Sequence, residues 1–120
     1  MKSNKTGDQF TTISCKQPTR NWYGWNDLMP PGPVTAHVVG EVQVPNPGVI
    51  AKLVPHVPQG INPAIKLLDL VLIQRPGIWP MVLTWVNVHY SEETGEPVYK
   101  QADVLCDGGS IALVDLEDVH

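Results

Sequence analysis

The residues of this sequence with chemistry to offer are four histidines, a carboxylate set in an apolar run, two cysteines and a knot of aromatic rings. His37 stands on the polar side of the run 34–44, in which Val34, Ala36, Val38, Val42 and Val44 alternate with Thr35, His37, Glu41 and Gln43. His89 shares a side of a later run with Trp85 and Asn87. Imidazole nitrogens ligate divalent metals, so these two could share an ion if their strands pair. The sequence holds no H-x-H or H-x-x-x-H spacing. Surface or cross-strand histidines are therefore expected, with no metal and no cofactor; His120 is terminal.

Asp69 lies within Leu67-Leu68-Asp69-Leu70-Val71, where a carboxylate loses its hydration unless it meets a partner. A carboxyl so placed is the best candidate for a shifted acidity and, working with a histidine, for acid–base catalysis. The preferred reading is structural, as an acceptor of hydrogen bonds; Asp103 or Glu41 would be its catalytic companion only under a particular strand order. Ser110 follows Gly108-Gly109, but G-x-S-x-G is absent, as are C-x-x-C and any glycine-rich phosphate loop. Cys106 has no His or Lys beside it in sequence to lower its thiol pKa. The chain is read as a non-enzyme.

The aromatic residues carry the remaining signal. Trp22, Tyr23 and Trp25 fall in the stretch 21–33 together with Pro30, Pro31 and Pro33, and Trp79 sits between Ile78 and Pro80. Rings in such segments either complete a core or stand exposed as a contact surface. If exposed, Trp22, Tyr23, Trp25 and Trp79 form the binding surface. Trp85, in mid-strand, is expected in the core.

The elements that must position these residues are strands. With 16 Val and 7 Ile against 5 Ala, side chains that fit a pleated sheet and are restricted in a helix dominate. Strands are expected over 34–44, 49–54, 64–74, 81–90, 98–105 and 110–116. Between them lie Pro45-Asn46-Pro47-Gly48, a proline-broken connection over 55–63, Arg75-Pro76-Gly77, a hairpin loop over 92–96 and Asp107-Gly108-Gly109. The strand over 64–74 is apolar on both faces apart from Lys66 and Asp69, as for a strand in mid-sheet. Six to seven strands without a crossover helix imply an all-β antiparallel sandwich of immunoglobulin-like or jelly-roll-like layering, without a Cys-Trp-Cys framework, over 34–120. Residues 1–33 form an N-terminal arm rich in aromatics and proline, loose to about residue 12 and extended beyond it.

At 120 residues the chain is one domain. Its 12 acidic and 8 basic residues, a net charge of -4, are spread without a basic patch, which excludes phosphate-driven nucleic-acid binding. No apolar run suits a secretory signal or a membrane span, so a cytoplasmic location is expected. Cys15 and Cys106 are then expected as free thiols, a disulfide being the lesser alternative. The functional expectation is a non-catalytic β-sandwich binding module acting through protein–protein contact or self-assembly as a homo-oligomer. A carbohydrate or small apolar ligand-binding protein comes second, and a small enzyme using Asp69 with a histidine third.

Overall fold

The alternating β-branched runs pair as strands because each presents one apolar side to a common interior. The computed structural model describes residues 9–95 and 98–120, and among them there are eight strands and no helix. They are β1 (Thr11–Ile13), β2 (Thr19–Asp27), β3 (Thr35–Val44), β4 (Val49–Pro55), β5 (Ile65–Gln74), β6 (Thr84–Glu93), β7 (Gln101–Cys106) and β8 (Gly109–Val119). The loose run expected before residue 9, and Glu96 and Pro97 of the expected hairpin loop, lie outside the described residues.

The strands form one curled mixed sheet, a half-barrel, in the order β1-β5-β7-β8-β2-β3-β6, with β4 on the opposite edge of β5. The all-β class is as expected, but two of the pairings are parallel, so the sheet is not antiparallel throughout. β2 runs parallel to β8 from Gly24↔Leu116 to Asp27↔Val119, and β5 runs parallel to β7 from Ile65↔Gln101 to Asp69↔Leu105. Parallel neighbours need long connections rather than hairpins; the chain provides them by pairing early strands with late ones. β4 and β6 close the curl by approaching each other without ladder pairing.

Expected strand positions agree closely for β3, β4 and β5, and β5 has neighbours on both edges. β6 starts later than expected, after Pro80, and β8 runs on to Val119 because its last residues pair with β2. The larger departure lies before residue 34. Thr19–Asp27, expected as an extended path without regular pairing, is an inner strand between β8 and β3.

A bulge in β2 decides which of its rings face inward. The register with β3 slips between Arg20 and Tyr23, and Asn21 takes a φ of 60° there, a conformation asparagine tolerates better than most residues. The slip reverses the alternation. Trp22 turns inward over Gly40, where an added Cβ would lie 2.3 Å from the indole, while Tyr23 and Trp25 turn outward. Inside, Val38, Val42, Leu68, Leu72, Val88, Val104 and Val114 form the core, with Trp22 and Tyr90 packed against it.

Cys15 and Cys106 are joined in a disulfide, which corrects the expected free thiols. One edge of β5 is shared end to end: β1 pairs with Leu72–Gln74 and β7 with Ile65–Asp69. Cys15 follows the first segment and Cys106 ends the second, so the bond fastens the joint between them. No sequence spacing announces a bridge between residues 91 positions apart; it follows from this shared edge.

Candidate functional site

Three features of the surface bear on function. The first is a row of rings on the outer side of β2, β3 and β6. Trp25 and His37 are cross-strand partners and stack at 4.7 Å between ring centres. Tyr23 lies 5.6 Å from Trp25 on the same strand. His37 Nδ1 is 3.2 Å from His89 Nε2. Burial and then the neighbouring His89 hold His37 below the usual imidazole pKa, against the field of Asp27. The Tyr23 hydroxyl donates to Glu117 at 2.7 Å; that bond, then burial, raises its pKa. Further along the sheet, the Arg20 guanidinium lies 3.8 Å from the centre of the Trp85 ring and its Nε donates to Glu41 at 2.6 Å. Trp85 therefore lies on the outer side beneath Arg20 rather than in the core, because it shares parity with Asn87 and His89.

The second feature is the connection from β5 to β6, an apolar tip on a fixed base. Arg75 donates to the carbonyls of Gly48 and Pro47 at 3.1 and 2.9 Å. Asn46 and Gln74 exchange side-chain hydrogen bonds at 2.8 and 3.0 Å, and Asn46 Oδ1 accepts from the Gly48 amide. Trp79 lies across Gly48, donates to the Arg75 carbonyl at 3.1 Å and carries the Arg75 guanidinium over its ring. A Cβ at residue 48 would come within 2.3 Å of the indole. Around this anchor Ile78, Met81, Val82 and Leu83 project into solvent, 101, 87, 55 and 67 % exposed.

The third lies at the opposite end of the half-barrel. Glu92 accepts from Tyr90 at 2.6 Å and Tyr99 at 2.9 Å and meets Lys66 at 3.1 Å. Burial opposes its ionisation, but the two hydroxyls and the ammonium outweigh that and hold its pKa low. Burial and the same carboxylate push both tyrosines up. Beside this network a cleft of about 430 Å³ is lined by Asn62, Tyr99, Lys100, Gln101, Asp115 and Asp118, among others. Fully buried Asn26 donates to the Tyr99 carbonyl and to Asp118.

Asp69 is not stripped of solvent as the sequence implied. It occupies the less covered side of β5, retains 35 % side-chain exposure, and meets His56 Nδ1 at 2.9 Å. Gln59 holds the neighbouring loop to β5 by bonding both the amide and the carbonyl of Leu67. The pair opens on a groove of about 300 Å³ that Thr12 and Cys15 also line. A histidine oriented by a carboxylate is a general-base arrangement, but Cys15 is held in the disulfide and offers no thiolate.

The four aromatic residues singled out in the sequence are thus dispersed. Trp22 packs inward, Tyr23 and Trp25 begin the outer row, and Trp79 anchors the apolar connection. Sequence reasoning missed the Lys66–Glu92–Tyr90–Tyr99 network, although Lys66 was one of two polar breaks in the most apolar strand. It also missed the exposed tip, whose signal was Ile78, Met81, Val82 and Leu83 crowded around Pro80 without strand alternation. No family model, curated protein or solved structure matches this chain. No helix among the described residues is long and apolar enough to cross a membrane.

Proposed function

We propose that this chain is a non-catalytic binding module that acts through protein–protein contact, with a second copy of itself as the first partner. The half-barrel serves as its rigid support, its two halves working as the layers of a sandwich of immunoglobulin-like or jelly-roll-like kind. One observation carries the reading. Four large aliphatic side chains stand in water on a short connection whose base is fixed by Arg75, Trp79 and the Asn46–Gln74 pair. Apolar side chains gathered in this way mark contact surfaces, and a fixed base spares the ordering cost that a mobile loop incurs on binding.

Sedimentation of the full chain from micromolar to near-millimolar concentration tests this. The expected result is a mass that rises with concentration, and a monomer at every concentration for the Ile78→Ser, Met81→Ser, Leu83→Ser triple variant with an unchanged circular dichroism spectrum. A monomeric parent chain, or a variant that associates equally well, would sink the proposal.

A carbohydrate ligand is the second reading, favoured by the cleft of about 430 Å³ and its amide and carboxylate lining. It is weaker on the aromatic row, because Trp25 and His37 cover one face of each other, which reduces the open ring surface on which a sugar stacks.

A further inference from the structure

We propose that His37 and His89 form a binding site for a divalent transition-metal ion, copper(II) above all, on the outer side of the β2–β3–β6 sheet. The strand register places them there. β3 and β6 pair antiparallel with His37 opposite Ser91 and Val39 opposite His89, so the two histidines are diagonal neighbours on one side of the sheet. Their facing nitrogens are 3.2 Å apart. Two nitrogens each bound about 2.0–2.1 Å from one ion, at tetrahedral or square-planar angles, are separated by about 2.9–3.4 Å. The strand register therefore brings the two nitrogens to a separation that one ion can span once the rings turn toward it.

In the metal-free pair the rings are nearly coplanar, 7° from parallel with centres 5.5 Å apart, and one N–H bridges the two nitrogens. Ligation requires the donor ring to carry its proton on its other nitrogen and each ring to tilt until both lone pairs meet the ion. A neutral pair releases no net proton in this change. Trp25 lies on the face of His37 and limits its swing to one side. Asp27, whose field reaches His37, supplies negative charge toward the bound cation. Two imidazoles leave further coordination positions open to water or an incoming donor, as in open rather than closed metal sites. Imidazole favours copper over the other first-row divalent ions. His56 provides an internal contrast, since its Nδ1 is taken by Asp69 and it has no second histidine beside it.

The test is a copper(II) titration of the full chain near neutral pH, read by tryptophan quenching and by electron paramagnetic resonance, with His37→Gln, His89→Gln and His56→Gln in parallel. The expected result is one saturable copper per chain with a two-nitrogen imidazole signature. Half-saturation should weaken more than about tenfold in each of the first two variants and stay unchanged in the third. Zinc(II) added to the parent chain should shift the NMR resonances of His37 and His89 and leave those of His56 in place, a readout that does not depend on any variant folding. A one-nitrogen spectrum, no saturable binding, zinc shifts elsewhere, or equal affinity in all variants would overturn the site.

Discussion

At the end of the half-barrel where β3 turns into β4, neutral amides and one arginine close the strands while Ile78, Met81, Val82 and Leu83 face water. At the other end the arrangement is reversed: Lys66, Glu92, Tyr90 and Tyr99 are drawn inward onto one another, and a fully buried asparagine ties β2 to the approach to β7 and to β8. Charged groups spent on each other fix geometry and have little left to offer a partner. Apolar groups left outside contribute little to the fold, which is why the proposed contact surface is assigned to the end with the exposed aliphatic side chains.

The largest change should come from the bond that lies between the two ends. Replacing Cys15 and Cys106 by serine restores to the unfolded chain the freedom of a loop spanning 91 residues, a cost of about 4 kcal/mol. Urea unfolding should register it alike through Trp79 at one end and Tyr90 at the other. A loss confined to one end would break the picture of two ends on a common frame.

Trp79→Ala removes the anchor of the apolar connection and should cost about 3 kcal/mol. Gly48→Ala should displace the same indole, because its Cβ has no room. The double variant should be far from additive by denaturant titration; full additivity would mean that Trp79 and Gly48 do not act as one unit.

At the charged end, Lys66→Met leaves the Glu92 carboxylate with its two tyrosines but no cation. The expected cost is about 1–2 kcal/mol, less than for a fully buried pair because both groups keep some water. An equally stable variant would remove the closing role assigned to this network.

Acid should act on the ring row and the charged end in separate stages. The folded pKa of His37 lies below its unfolded value, so its contribution is present above the ordinary imidazole range and is lost as pH falls through the lowered value. Glu92 is likewise depressed, so its contribution persists to lower pH and is lost as pH falls below the ordinary carboxylate range. Stability against pH should show both steps; His37→Gln should abolish the upper and Glu92→Gln the lower.

The smallest effect on folding should come from Ile78→Ser, within about 0.5 kcal/mol, despite the largest effect being expected on association. A substantial loss of stability would show that the apolar tip is packed after all.

The sequence made the β-rich character and the strands β3, β4 and β5 legible because Val34 to Val44 alternate cleanly and prolines mark the ends of the following runs. It placed His37 on the polar side of its strand and His89 on the same side as Trp85 and Asn87, since strand parity needs only local spacing. It failed for β2, where Asn21 inserts one residue and reverses the parity of Trp22, Tyr23 and Trp25. Trp85 was misplaced because ring size argued for burial while its neighbours Asn87 and His89 argued for the outer side. The parallel pairs, the disulfide and the Glu92 network all depend on contacts between distant parts of the chain, which local periodicity does not encode.

The shared edge of β5 also sets an order of events during synthesis. β1 is made well before the rest of the edge it shares, since the joint that fastens it is complete only when Cys106 arrives, and β2 gains its second neighbour only with Leu116 to Val119. Residues as far along as Val119 must therefore be made before the sheet can close. Until then β2 keeps one edge open and β1 lacks its covalent tie, so closure of the sheet comes after the β3–β6 and β4–β5 pairs can form.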